Sequence, residues 1–366
     1  HLVSNSETKK TFDCIVVGAG ISGLVAARRL TEKGLSVVVL EARDRVGGKT
    51  YTKTIGGVAV DLGAHWIGPG QNRIAALVKE LGVNTHQQFE DGKNISMVVG
   101  KRLVSKRVIP PMLPHQLIDI GLGLRKLEKL RLRVGENLIS EAEKLRWDGM
   151  SAETWKQKTF KTKAGKSVMD ISARLIFGAE PQELSMLYFL QYIHAGEGME
   201  KLIAYEGGAQ QDSFSGGSQQ LCERMAHELG EAVKLETAVD KIIQNNGSVS
   251  VTSGELQFHA RKVIVALAPT LAGRINYSPA LPAQRDLLTQ SMTMGAYSKA
   301  VCVYDKPWWR EEGFSGITSS DTGLVQMCVD DSPSADGPGV LIGFMAGNPA
   351  RKATSLNDHE RQTQIL

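Results

Sequence analysis

Residues 12–41 read FDCIVVGAGISGLVAARRLTEKGLSVVVLE, the clearest structural signal in the chain. Phe12 to Val17 is a short apolar run of β-branched character closed by Gly18, the pattern of a strand buried on both faces of a parallel sheet. Gly18-Ala19-Gly20-Ile21-Ser22-Gly23 follows. From Leu24 to Lys33 the side chains of Leu24, Ala27 and Leu30 share one helical face, Arg28, Arg29, Glu32 and Lys33 lie elsewhere, and Gly34 closes the helix. Leu35 to Leu40 reads as a second buried strand ending at Glu41. Together these segments predict a complete βαβ unit.

A GxGxxG pattern alone says little, but here a strand, a helix and a terminal acid frame it. Gly18 permits the tight turn, Gly20 lets backbone approach a pyrophosphate, and Gly23 lets the helix pack close to the sheet. The helix N-terminus, with Ser22 in its first turn, faces the anion. Glu41 is suited to accept hydrogen bonds from ribose hydroxyls and to repel a 2′-phosphate. These residues predict a bound ADP moiety. Ala42-Arg43-Asp44-Arg45-Val46-Gly47-Gly48-Lys49 then adds a second glycine pair flanked by Arg43 and Lys49, which suits a further diphosphate contact that a nicotinamide dinucleotide does not need. Asp61-Leu62-Gly63-Ala64-His65-Trp66-Ile67-Gly68 offers small residues and an indole for packing beside a flat ring system.

Composition narrows the classes. The chain has 366 residues, a length that predicts about two domains or two interleaved ones. Its 43 Lys plus Arg against 39 Asp plus Glu give a net charge of +4, too near balance to support a nucleic-acid partner. Ordinary globular composition excludes collagen, disorder and a disulfide scaffold. No apolar run reaches the ~18 residues of a membrane span, and His1–Lys10 lacks the apolar core of a secretory signal. Cys14, Cys222, Cys302 and Cys328 show no CxxC pairing or zinc-like histidine spacing, so no metal site is expected. A reducing, cytoplasmic compartment is the simplest reading.

Further along, Leu103 to Trp147 reads as helices with basic solvent faces, and Ser167 to Ala195 as helical with an aromatic core. After Gly216-Gly217-Ser218 comes a helix ending near Leu229. Ala238–Gln244, Ser248–Thr252 and Glu255–His259 read as strands split by Asn246-Gly247 and Ser253-Gly254, before a separate return strand at Lys262–Ala266. The fold class expected is α/β: a Rossmann-type domain interleaved with a second domain of helices and a mixed β-sheet. Residues 1–90 and 211–275 would form the nucleotide domain, and 91–210 and 276–366 the other.

The sequence resembles the flavin-dependent monoamine oxidases, within the group shared with polyamine and L-amino-acid oxidases. The resemblance rests on GAGISGL, VVVLEARDRVGGKT, DLGAHWIGPGQNRI, GGSQQL, AVKLETAV, ALAPTLAGRI and YSKAVCVYDKPWW, and spans essentially the whole chain. It implies FAD along the first motifs, held at Gly18, Gly20, Ser22, Gly23, Glu41, Ala42, Arg43, Gly47, Gly48, Lys49, Gly63, Ala64, His65 and Trp66. It also implies adenine contacts from the backbone at Val233. Lys49 stands where the family usually has an arginine, keeping the charge without the bidentate fork. Family members continue past the position of Leu366 with aromatic residues that flank the amine and a further FAD segment, which is expected to be absent here.

In Tyr297-Ser298-Lys299-Ala300-Val301-Cys302-Val303, strand alternation puts Lys299 in phase with Val301 and Val303. A lysine on an apolar face costs several kcal/mol unless paired or neutral, so an inward one needs a reason. The resemblance supplies one: the family's lysine at this place holds a water beside flavin N5, which makes Lys299 the catalytic candidate. His65 and His194 read as hydrogen-bonded pocket or surface histidines, neither with a neighbouring carboxylate in sequence. By match to family positions, Leu175, Ile176, Leu202, Gln210, Met327 and Phe344 line the substrate pocket. The reaction implied is oxidation of a small-molecule amine, the imine hydrolysing to an aldehyde and dioxygen yielding hydrogen peroxide. A homodimer is compatible with this. A related flavoenzyme acting on amino acids or polyamines, a desaturase-like enzyme, and a non-catalytic FAD-binding protein remain open alternatives at this stage.

Overall fold

The computed structural model describes residues 11–106 and 109–366; the polar segment His1–Lys10 lies outside the described residues. Thr11–Val17 (β1), Ile21–Thr31 (α1) and Val37–Leu40 (β2) form the expected βαβ unit. β1 pairs parallel with β2, in register from Cys14 with Val37 to Val17 with Leu40. Period-two alternation divides the buried side chains between two cores. Cys14, Val16, Val37 and Val39 meet Leu24 and Ala27 of α1 on one face, while Ile15, Val17, Val38 and Leu40 meet Val249, Val251 and Ala260 on the other.

β1 and β2 belong to a seven-stranded sheet in the order Val233–Lys234, β2, β1, Leu256–Val265, Ser248–Ser253, Lys241–Asn245, Asn276–Ser278. Leu256–Val265 is one ten-residue strand, where two separate strands were expected at Glu255–His259 and Lys262–Ala266. It pairs antiparallel with Ser248–Ser253 through its first half and parallel with β1 through Val265. No turn residue interrupts it, so one strand joins the hairpins to the nucleotide unit.

A second sheet of six strands runs Tyr297–Tyr304, Gly339–Ala346, Met327–Asp330, Phe314–Ser320, Lys93–Val98, Lys101–Ser105. Leu103–Ser105 is therefore strand, not helix; Val99 and Gly100 both take positive φ and close a hairpin from Lys93–Val98. The helices begin at Pro114–Gly135 and continue with Glu141–Asp148 and Ala152–Thr159. The expected helical stretch Ser167–Ala195 is two helices, Lys163–Phe177 and Met186–Ala195, because Gly178 ends the first at φ +64 and Pro181 opens a 3-10 turn. These helices enclose Leu127, Trp155, Phe160, Phe189, Leu190 and Ile193. Each such buried apolar side chain contributes roughly 1.5–3 kcal/mol against leaving it in water. The fold class is the mixed α/β one expected, with the chain passing between the two sheets more than once.

Candidate active site

At the β1–α1 turn Gly18 adopts φ +102, and a Cβ on Gly23 would lie 2.0 Å from the Gly18 oxygen. The helix can sit this close to the strand only with glycine at position 23. Gly20 caps α1 without a side-chain hydrogen bond and no acid stands in the first turn, so the helix N-terminus is open, with Ser22 exposed upon it. Gly20 also bridges Gly47, whose N–H donates to the Ala19 oxygen at 2.9 Å. The two glycine loops, bridged between Gly20 and Gly47, thus form one continuous strip of backbone.

Glu41 is buried at the rim of this strip, its Oε2 accepting from the Ala19 N–H at 2.8 Å and its Oε1 from the Arg43 N–H at 3.0 Å. Each carboxylate oxygen keeps accepting capacity beyond these bonds. Ala42, Arg43 and Lys49 are exposed beside it. Val233 lies on the outermost strand, paired with Val39, and its N–H donates to the Gly230 oxygen. Two supports escaped the sequence reading. Arg45 donates to the oxygens of Val46, Gly48 and Thr50 at 3.2 to 3.4 Å while its guanidinium stacks 3.9 Å from the Tyr51 ring. Gln219, from the GGSQQL segment, donates to the Val46 oxygen and accepts from the Thr52 N–H at 2.8 Å. Both pin the loop that carries Gly47 and Gly48.

The next site residues hang from the end of the strand Val58–Asp61. The buried Asp61 carboxylate accepts from Thr52 Oγ1 at 2.6 Å and from the Ser218 N–H and hydroxyl. Lys299, half-buried on Tyr297–Tyr304, donates from Nζ to the Asp61 carbonyl at 2.8 Å and the Gly63 carbonyl at 2.7 Å. Across the ladder it faces Phe344, with the amine 5.1 Å from the ring centroid. Val301 and Val303 pack into the same cluster as Phe344, so the alternation placed Lys299 on the inward face. Burial pushes the Lys299 ammonium down to about 8, with Asp61 and Asp331 pulling the other way.

His65 is buried, its Nε2 3.3 Å from Asp331 Oδ1, and burial holds its imidazole well below the usual range, helped by the charges of Lys299 and His86. Asp331 is a carboxylate partner that only folding could supply. Its own group is pushed up to about 7, mainly by burial and then by Asp61. His194, by contrast, packs against Gly135 beside Arg131 among the helices.

Trp66 stacks on Phe344 at 5.3 Å between centroids, meets Tyr205 edge-on at 6.5 Å, and donates from Nε1 to Gln88 at 2.7 Å. Leu175 and Met327 pack against the same cluster, and the Tyr205 hydroxyl reaches Met327 Sδ at 3.9 Å. Ile176 and Leu202 instead pack against the helical core, and Leu202 lines a separate cleft of about 310 Å³ with Tyr192 and Glu197. Gln210 Oε1 is buried without a hydrogen-bond partner.

The sequence pattern of the flavin containing amine oxidoreductases matches residues 21–366. The chain belongs to that family. This amine oxidoreductase is 37% identical over 370 residues to a flavin-containing amine oxidase of Oncorhynchus mykiss, covering 98% of this chain and 70% of that one. Among solved structures, putrescine oxidase bound to putrescine superposes with a TM-score of 0.91 at 28% identity, covering 97% of this chain and 80% of that one. Cyclohexylamine oxidase from Brevibacterium oxydans IH-35A gives 0.89 at 30%, with the same coverage. The chain is an FAD-dependent oxidoreductase acting on amines. The open helix N-terminus, the paired glycine loops and the buried Glu41 fit such a dinucleotide. Among the described residues no helix is long and apolar enough to cross a membrane.

Proposed function

We propose that the chain oxidises apolar amines with FAD held along the two glycine loops, and that Lys299 is its catalytic residue. The observation that carries this reading is the Lys299 amine, fixed by the Asp61 and Gly63 carbonyls at the edge of the Trp66–Phe344 cluster. Gly18, Gly20, Ser22 and Gly23 would receive the diphosphate at the α1 N-terminus, Glu41 the ribose, Arg43, Gly47, Gly48 and Lys49 the outer phosphate and its charge, and the backbone at Val233 the adenine. Gly63, Ala64, His65 and Trp66 would follow the ring system. The chemistry FAD supplies when bound is acceptance of a hydride from the α-carbon of the amine, leaving an imine that hydrolyses to aldehyde and ammonia or a smaller amine.

The chain's own residues then have three tasks. Trp66, Tyr205, Phe344, Leu175 and Met327 exclude water and disfavour the ammonium form of the substrate, which must be neutral to give up hydride. Two protons of Lys299 Nζ are engaged by carbonyls, which leaves its remaining position to hold a water beside the place the flavin would occupy. That engagement also leaves Lys299 poorly suited to receive a substrate carboxylate, which favours amines over amino acids. Leu202, in its cleft with Tyr192 and Glu197, and Gln210, with its unpartnered Oε1, would border the approach, while Ile176 backs them from the helical core. The four free thiols support a reducing compartment. A peroxide assay across aromatic monoamines, diamines and L-amino acids tests the reading; a higher kcat/KM for amino acids than for every amine would overturn it.

A further inference from the structure

Two carboxylates, Asp61 and Asp331, share the surroundings of one ammonium, Lys299. Their environments differ sharply. Asp61 receives hydrogen bonds from Thr52 and Ser218 that favour its ionised form. Among the described residues the side chain of Asp331 has one polar partner, His65, at 3.3 Å. Two buried negative charges beside one positive charge leave one uncompensated, so the less supported group is the one that takes a proton. The two side chains differ from a sealed pair in one respect. Asp61, His65 and Asp331 line an open cleft of about 520 Å³, walled by Gly56–Ala59 and by Phe214–Gly216, with His86 also on its surface.

We propose that Asp331 is a positioning residue for Lys299: it exchanges a proton with water in this cleft, and its charge, steadied by His65, sets the electrostatic state in which the Lys299 amine works. The proposal rests on the reading of Lys299 given above. The step is a simple transfer. The proton leaves the Asp331 carboxyl for a cleft water, and the resulting carboxylate lies 3.3 Å from His65 Nε2, which Ser213 Oγ also approaches at 3.4 Å. His65 Nδ1 has no hydrogen-bond partner among the described residues, so Nε2 is the ring nitrogen that meets Asp331 and Ser213. The groups facing Asp331 are His65, Asp61, Lys299, His86 across the cleft, and Asp330, whose own charge is taken up by Arg310 at 2.6 Å. Burial and Asp61 hold the Asp331 carboxyl near neutrality, while Lys299 lowers it.

The test is a titration of the ¹⁵N-histidine-labelled holoenzyme from about pH 5 to about pH 8, the range in which a histidine environment reports on its neighbours. His65 signals are assigned with His65→Gln. His65 should remain neutral while Nε2 moves through one inflection. Asp331→Asn should abolish that inflection, Asp331→Glu should retain it, and Lys299→Met should move it upward because the attracting charge is gone. The pH profile of kcat should lose the same inflection in Asp331→Asn, with KM little changed. A flat His65 response in the wild type, or the same inflection in Asp331→Asn, overturns the proposal. Failure of the Lys299 reading shows separately, as undiminished turnover in Lys299→Met.

Discussion

Lys299 stands directly across an antiparallel ladder from Phe344, and its ammonium lies 5.1 Å from the centre of that ring. The same ring stacks on Trp66, so one phenylalanine joins the charged group to the indole. The electrostatic attraction of a cation for an aromatic face is worth about 2 kcal/mol or more when desolvated, which helps retain an amine that burial would expel.

Lys299→Met keeps an unbranched side chain as far as Cε and removes the amine with its hydrogen bonds to the Asp61 and Gly63 oxygens. Flavin content should be little changed, because the loops of Gly18–Gly23 and Gly47–Gly48 are untouched. Steady-state turnover should fall by about 10²-fold or more, the range for loss of a positioned proton-handling group. Stopped-flow measurement of flavin reduction and of its return with oxygen would show which half-reaction slows.

Stability should depend on pH at Asp331 with a defined sign. Its folded value near 7 lies above the 3.8 of an unperturbed aspartate, so the native state binds the extra proton and loses stability as pH rises between the two. Asp331→Asn should therefore leave the melting temperature unchanged near pH 4 and raise it near pH 8. The shift corresponds to roughly 4 kcal/mol at most, a figure that already contains the attraction of Lys299. A melting temperature that falls at the higher pH would contradict the assignment.

Gly23→Ala places a methyl 2.0 Å from the Gly18 oxygen, and backbone rather than a side chain has to yield. A cost of about 1–3 kcal/mol is expected from overpacking, together with loss of bound flavin. Calorimetry and the absorbance ratio of flavin to protein read the two effects separately.

Arg45→Lys retains the charge and loses the fork that reaches the Val46, Gly48 and Thr50 oxygens. The loop carrying Gly47 and Gly48 should loosen, weakening FAD by roughly tenfold, which corresponds to about 1.4 kcal/mol. Equilibrium dialysis against FAD measures it.

Trp66→Phe removes the donor to Gln88 while preserving an aromatic surface against Phe344. Stability should drop by about 1 kcal/mol, the usual net contribution of such a bond. KM for aromatic amines should change more than kcat, as read from initial rates.

Residues 12–41 by themselves determined the βαβ unit, the glycine turn and the role open to Glu41, because buried parallel strands and helix faces are local periodic patterns. Alternation alone also put Lys299 on the inward face of its strand. Other features have no local signature. Nothing near Gly47 announces that Gln219 will staple its loop, and nothing near Ala260 shows that two expected strands are one, because that strand is held by different partners on its two edges. Asp331 was invisible for the same reason. A carboxylate becomes a partner of His65 and a neighbour of Lys299 only when separate segments converge, and its departure from ordinary acidity comes from burial and nearby charge that no stretch of sequence contains.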